Sequence, residues 1–323
     1  MTTSPLWSLN IVKAVQGWGD WLTPPMRMFS FIGSVPFFLL LICLVLWCID
    51  KPLGTDLGAL LLLSGFSNGV IKAALKWPRP FWLDPALGRA AETTYSLPSG
   101  HSQAAVMMFG YLAAMLWCRE GRHRRWAGLL LMLIPFIALS RVYLGVHFPG
   151  DVLAGLAIGL GLLGLYLRLR AGVAAWLGSL PIAAHAGLAC AASMLVLGLT
   201  VLGLAIPMTG SQIAPAIDAA ARKAALDEAS AMAGMVLGLW IGLAFEARYL
   251  HFTVTGTPGQ RAIRYLLGLI GVIVLWWGAG ALWAGETGAV SILLSVLRYA
   301  AIALWVAVAW PWLCVRIGLG ALE

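Results

Sequence analysis

Charge is scarce in this sequence. Of 323 residues only 11% are Asp, Glu, Lys or Arg, whereas 61% are hydrophobic, and the mean hydropathy is +0.90. An ordinary soluble domain carries about 25% charged residues, so too little polar surface exists here to cover a soluble fold. Disorder is excluded on the same ground, because it needs low hydrophobicity and high charge. Cysteine is sparse too. Cys43, Cys48, Cys118, Cys190 and Cys314 lie in or beside apolar runs, with no CxxC pair. That argues against a disulfide framework and a zinc site, and leaves them as small apolar packing groups. A basic stripe with interleaved aromatics is missing, so the net charge of +8 is read as membrane orientation rather than nucleic-acid binding. The opening residues lack the charged start, pure apolar stretch and small-residue cleavage site of a signal peptide. There is no short repeat and no soluble low-complexity tail.

What the sequence has in abundance is apolar runs. A bilayer is crossed by about 20 apolar residues, and nine stretches approach that length: near 28–49, 56–76, 99–118, 126–146, 151–168, 183–206, 230–247, 264–284 and 289–311. The expected fold class is all-α, a polytopic transmembrane helical bundle of about nine spans. Three regions are expected. Residues 1–27 form an interfacial amphipathic N-terminal helix, because Trp7, Ile11, Val15, Trp18 and Leu22 recur at helical spacing. Residues 28–170 form a core whose links carry the polar groups. Residues 171–323 form a C-terminal transmembrane extension, Ala/Gly/Leu-rich and poor in chemical groups, with 171–182 as the link.

Orientation follows from Arg and Lys near span ends. Arg119, Arg122, Arg124 and Arg125 form the strongest basic loop; Arg168, Arg170, Arg248, Arg261, Arg264 and Arg316 fall on the same side. That side is expected to be cytoplasmic. The N-terminus and segments 77–98 and 147–150 then face outward.

Three clusters place costly polar groups at outward span ends. They are Lys72 with Lys76, Arg79 and Pro80; then Pro98-Ser99-Gly100-His101; then Ser140-Arg141 followed by His147 and Asp151. Lys72, Arg79 and Arg141 bring three positive charges together, which suits a phosphomonoester of charge about −1.5 to −2. Ser99 and Gly100 open a span, where free N–H groups and the helix dipole favour an anion. Together they make a phosphate cradle without a metal. Asp151 follows His147 by four positions, so its carboxylate can fix the imidazole tautomer and make His147 a nucleophile. His101 can protonate the leaving oxygen and then help activate water.

These residues resemble the type-2 phosphatidic acid phosphatase family, related to vanadium haloperoxidases. Lys72, Arg79 and Pro80 match its first motif, Pro98 to His101 its second, and Ser140, Arg141, His147 and Asp151 its third, over roughly residues 55–170. The resemblance implies metal-independent removal of phosphate from a lipid phosphate or pyrophosphate through a phosphohistidine. It implies His147 as nucleophile, Asp151 as its orienter and His101 as the acid. Lys72, Arg79, Ser99, Gly100 and Arg141 are then phosphate-binding, with no cofactor or metal. Residues 28–170 become a membrane phosphatase core. The outward N-terminus and extra spans resemble the glucose-6-phosphatase and sphingosine-phosphate phosphatase branches.

Other polar residues take plainer readings. Lys76 is an interfacial anchor by snorkelling, and Trp77, Phe81 and Trp82 are an aromatic belt. Asn68 makes an inter-helix hydrogen bond. Ser140 and Tyr143 pack or support. His123, His185 and His251 are interfacial or solvated. Asp218, Arg222, Lys223, Asp227 and Glu228 form a salt-bridged outward helix, with capping of the site as the alternative. Arg89 and Glu92 lie in the outer loop, placed to gate a head group. The expected partners are a lipid phosphate substrate and the bilayer, with no nucleic acid; a homo-oligomer stays open. The site would face the periplasm or exterior of a bacterial inner membrane, or a lumen. The alternatives are a lipid phosphotransferase of the same chemistry and, in a different class, a lipid transporter or scramblase.

Overall fold

The computed structural model describes residues 6–117, 123–207, 213–282 and 288–322. Cys118, Arg119 and Arg122 fall outside the described residues, as do the side chains of Trp7 and His123. The chain begins with helices α1 (Leu6–Gln16), α2 (Thr23–Ile32), α3 (Val35–Cys48) and α4 (Lys51–Leu75), followed by the short α5 (Pro80–Leu83). Then come α6 (Gly100–Trp117), α7 (His123–Tyr143), α8 (Pro149–Gly178), α9 (Ile182–Ala205) and α10 (Pro215–Phe245). The last helices are α11 (Pro258–Leu282), α12 (Gly288–Leu304) and α13 (Trp310–Arg316), with π-helical turns continuing α10 and joining α12 to α13. Two-residue strands β1 (Phe252–Thr253) and β2 (Ala321–Leu322) pair antiparallel, Phe252 opposite Leu322.

Local chemistry sets the helix ends. Asp50 accepts the Leu53 amide at 2.9 Å and caps α4. Thr257 and Gln260 exchange bonds in a capping box at the start of α11. Pro149, Pro215 and Pro258 each occupy a first helical position, where the missing N–H costs nothing.

The protein is an all-α, polytopic, integral membrane protein. Among the described residues seven helical runs are long and apolar enough to cross a membrane. The pair Asp20–Ile32 and Val35–Cys48, bent by 51°, makes eight if taken as one span. The expected nine are therefore not all counted among the described residues. The missing stretch is α6, whose first turn is Gly100, His101, Ser102 and Gln103; the polar motif that makes this helix chemically interesting dilutes its hydropathy. Two boundaries also move. Residues 171–178 continue α8, and the turn falls at 179–181. The polar stretch around Asp218 to Glu228 is continuous with the apolar run after it, as one helix of 31 residues.

The chain divides into two compact units. The first comprises Met1–Phe38, Leu63–Arg168 and Thr200–Ala225. In it Val12 of α1 is fully buried against Leu87, Ala138, Val142 and Val152, and Phe29 stacks on Phe136 at 5.0 Å. Gln16 donates to the Leu87 and Tyr143 carbonyls, both at 2.9 Å, so α1 is tied to the loop and helix that carry the site. Trp18 and Trp21 stay exposed.

The second unit comprises Leu39–Leu62, Leu169–Leu199 and Leu226–Glu323. Its core is built on Trp47, Leu250, Phe252, Trp310 and Cys314. Arg264, which the sequence presents as an orientation charge, is fully buried and donates to the carbonyls of Trp47, Thr255 and Leu319. The last turn of α3 leaves carbonyls without helical partners, and a guanidinium is suited to them. His185 is held by Trp240 Nε1 at 3.2 Å and by the Leu177 carbonyl at 3.1 Å, a packed imidazole.

Candidate active site

All the polar residues singled out from the three motifs belong to the first unit. Lys72 lies in the last turn of α4 and reaches Thr94 Oγ1 at 3.3 Å. Its neighbour Lys76 does not snorkel. It is 1% exposed, follows the end of α4 with φ of 47°, and donates to the Ile206 carbonyl just beyond the C-terminus of α9. A helix C-terminus, with its unpaired carbonyls and negative dipole end, is a better partner than lipid head groups.

Arg79 is fully buried immediately before α5. It donates to the carbonyls of Thr94 at 2.5 Å, Tyr95 at 3.2 Å and Val146 at 2.9 Å. The same guanidinium reaches His147 Nε2 at 3.3 Å through Nη1. Arg141, in the last turn of α7, is 2% exposed and donates to Ser30 Oγ and to Glu92 Oε1. Glu92 Oε2 lies 3.6 Å from Arg79 Nη2. One carboxylate thus bridges the two buried arginines. Burial alone would raise the carboxyl of Glu92, but Arg79, Arg141, His101 and Lys72 together outweigh it and hold it at about 2.

His147 sits in the link between α7 and α8. Gly145, at φ +71°, makes that link: a Cβ there would be strained and would lie 2.0 Å from the Leu87 carbonyl oxygen. Asp151 follows in the first turn of α8 and accepts the Phe148 amide at 2.9 Å. The sequence reading pairs Asp151 directly with His147, and the structure places Ser96 beside both. Ser96 Oγ donates to Asp151 Oδ2 at 2.5 Å and lies 3.2 Å from His147 Nδ1. The direct Nδ1 to Oδ2 separation is 3.5 Å. With its own proton on Asp151, Ser96 can only accept from Nδ1. The network therefore assigns the proton of the neutral ring to Nδ1 and leaves the Nε2 lone pair facing Arg79. Burial, then Arg79, Arg141 and Lys72, push this imidazole well below its ordinary pKa, so it is neutral at physiological pH.

The second motif is wired to the third through the main chain. The Ser99 amide donates to the Asp151 carbonyl at 2.9 Å, and Ser99 Oγ accepts from Ser102 Oγ at 3.0 Å, within the first turn of α6. Both bonds brace that turn. Gly100 is the first residue of α6 and His101 the second, within electrostatic reach of Glu92, Arg141 and His147. Asn68 does make inter-helix bonds, to the Pro98 carbonyl at 3.2 Å and to Gln103 Oε1 at 3.1 Å, which fix α4 against the motif.

Several residues of the site were not singled out in the sequence. Ser96, Thr94 and Tyr95 precede the second motif without periodicity, and Ser30 sits in an otherwise apolar run. Arg89 lies apart from the cradle, on Tyr143 Oη at 2.5 Å and Asp20 at 2.8 Å. Glu92 alone of that pair enters it. Tyr95 Oη donates to Asp218 Oδ1 at 2.7 Å, and Asp218 also pairs with Arg222 at 2.7 Å. The first turns of α10 are thus fastened to the loop that carries Glu92, Thr94 and Ser96. A cavity of about 300 Å³ is lined by Trp82, Glu92, Thr93, Ala216, Ile217 and Ala220. Among the described residues no group of three or more His, Cys, Asp or Glu side chains is arranged to hold a metal ion.

Comparison with known proteins gives two family matches. Residues 53–174 match the PAP2 superfamily, and residues 230–322 match the transmembrane extension of PAP2 superfamily phosphatases. Phosphatidylglycerophosphatase B of Bacillus subtilis is 30% identical over 43% of this chain and 71% of its own length. Lipid phosphate phosphatase delta of Arabidopsis thaliana is 32% identical over 44% of this chain and 36% of its own. A probable sphingosine-1-phosphate phosphatase of Dictyostelium discoideum is 28% identical over 41% and 34%. The chain thus spans about a third of the length of the Arabidopsis and Dictyostelium relatives.

Proposed function

The chain belongs to the PAP2 superfamily, and from that premise we propose that it is an integral membrane phosphatase hydrolysing a lipid phosphomonoester or pyrophosphate. The observation that carries this reading is the position of Arg79 Nη1, 3.3 Å from His147 Nε2. A phosphate oxygen held by that guanidinium brings its phosphorus to the lone pair of a histidine already in the right tautomer. Nucleophile and oxyanion donor are adjacent before substrate arrives.

The reaction proceeds in two displacements. His147 Nε2 attacks phosphorus and forms an N–P bond as the P–O bond to the alcohol or phosphate leaving group breaks. His101 gives the leaving oxygen its proton. Ser96 and Asp151 take up the positive charge that develops on the ring, through Nδ1. Lys72, Arg79 and Arg141, with the Gly100 amide at the N-terminus of α6, hold the non-bridging oxygens as their charge redistributes. Water then attacks phosphorus, with His101 accepting its proton, and His147 is released. Every charge needed is supplied by a side chain, so no step draws on a metal.

Topology supports an outward or lumenal site. Arg124 and Arg125 open α7 and Arg141 closes it, about 24 Å away at 1.5 Å per residue. Asp151 opens α8, whereas Arg168 and Arg170 lie near its other end. The basic ends belong to the cytoplasmic side under the positive-inside rule, which puts the cradle on the opposite face.

The test is purified protein assayed for phosphate release against a panel of lipid phosphates and pyrophosphates, with His147→Ala alongside. Release by the parent protein and none by the folded variant supports the reading. Comparable release by both would remove the nucleophile assignment.

A further inference from the structure

Glu92 is an acidic side chain that pairs with both arginines of the cradle. Its Oε1 accepts from Arg141, and its Oε2 lies 3.6 Å from Arg79 Nη2. The charged and titratable groups facing it come from four elements: Lys72 on α4, Arg79 before α5, His101 on α6 and Arg141 on α7. The carboxylate therefore stands where two oxygens of a phosphate would be gripped. It has two oxygens, both engaged, whereas a phosphate group offers a third. Arg141 Nε, buried with the rest of that side chain, has no hydrogen-bond partner while the carboxylate is in place. Glu92 is not locked in. Its side chain is 25% exposed, against 0% and 2% for the arginines it touches, and it lines the 300 Å³ cavity beside the cradle.

We propose that Glu92 determines specificity by acting as a resident anion, so that a ligand displaces it only by bringing two negative charges on one phosphate group. The inference rests on the cradle being a phosphate site, and it adds a selection rule to that site. Exchanging the carboxylate for a singly charged phosphodiester leaves the charge among Lys72, Arg79 and Arg141 unchanged and costs Glu92 its partners. Exchanging it for a monoester dianion, or a terminal pyrophosphate, places one further negative charge among three cations. The displaced side chain has the adjoining cavity to enter. Phosphodiester lipids, abundant in any bilayer, are thereby kept off a site that monoesters occupy. The rule also gives the site a pH dependence that comes from the ligand. A phosphomonoester loses its second charge as pH falls through about 6, and with it the ability to displace Glu92.

The experiment measures anion binding rather than turnover, by calorimetry on the full-length protein in detergent. Inorganic phosphate at about pH 8 is the dianion and dimethyl phosphate the monoanion. The parent protein should bind the first and reject the second. In Glu92→Gln both should bind more tightly, dimethyl phosphate by roughly tenfold or more, as expected for removal of a close competing charge. Phosphate binding should weaken between pH 8 and pH 5 more steeply in the parent than in the variant. Glu92→Asp, which keeps the charge on a shorter stem, should retain the discrimination at least in part, and serves if Glu92→Gln does not fold. Equal preference for the two anions in the parent, or an unchanged ratio in Glu92→Gln, would overturn the inference while leaving the phosphatase reading standing. Failure of the parent protein to bind any phosphate anion would sink both.

Discussion

Replacing Ser96 by alanine isolates the proposed relay behind His147. The hydroxyl sits 3.2 Å from His147 Nδ1 and 2.5 Å from Asp151 Oδ2, all three side chains being almost fully buried. Alanine removes the bridge and leaves Nδ1 facing a carboxylate 3.5 Å away, beyond a good hydrogen bond. A hydrogen bond to a charged group is worth about 1.5–3 kcal/mol. This one strengthens as the ring becomes cationic, so the loss falls on the transition state. At about 1.4 kcal/mol per tenfold, kcat should drop roughly 10- to 150-fold with little change in KM. Asp151→Asn should cost at least as much, since the amide cannot balance an imidazolium. The double variant should be no worse than the poorer single, because the groups act as one unit. Steady-state kinetics on a short-chain lipid phosphate, with thermal unfolding to confirm folding, decides the matter. A Ser96→Ala enzyme within about twofold of the parent in kcat, or impaired only in KM, would refute the relay.

Gly155 faces the second motif across a close helix contact. A Cβ there would lie 2.5 Å from the Ser99 carbonyl oxygen, so Gly155→Ala should cost about 1–3 kcal/mol of stability and depress turnover without touching a motif side chain, read by unfolding temperature and kcat together. Glu92 is held at about 2, below its ordinary 4.5, by the surrounding cations. A depressed carboxyl stabilises the fold above its unfolded pKa and loses that contribution as pH falls through the folded one. Unfolding temperature should therefore decline between about pH 5 and pH 2, and less so in Glu92→Gln; parallel curves would contradict this. Chelators should leave turnover intact, and vanadate should inhibit in competition with substrate. Inhibition by a chelator, reversed only by added divalent metal, would show that protein cations are not sufficient.

Much of the candidate site was legible because its chemistry is expensive. Lys72, Arg79, Arg141, His147 and Asp151 stand out from apolar sequence at fixed spacing, and the structure gathers their side chains about one buried point. What was not legible depends on folding distance. Ser96 meets partners 51 and 55 positions away, and the Arg141 contact to Ser30 spans 111; a serine in a loop carries no periodicity that announces such partners. Glu92 could be noticed as an outer-loop acid, but only the structure separates it from Arg89, which turns to Tyr143. The spans were readable from apolar length, except where α6 gives up hydropathy to the motif at its start. Arg264 and Lys76 show the reverse error: a charge at a span end suggests head groups, yet each found a helix C-terminus instead.

The guanidinium of Arg79 binds three main-chain carbonyls, from Thr94, Tyr95 and Val146, in addition to facing His147. Two loops, already joined through Ser96 to His147 and Asp151, are therefore pinned further by the same group that faces His147. Architecture and reactivity are inseparable at this position: a lysine could restore the charge but not the fork that clasps both loops, and any drift here would be felt at once as disorder and as lost chemistry.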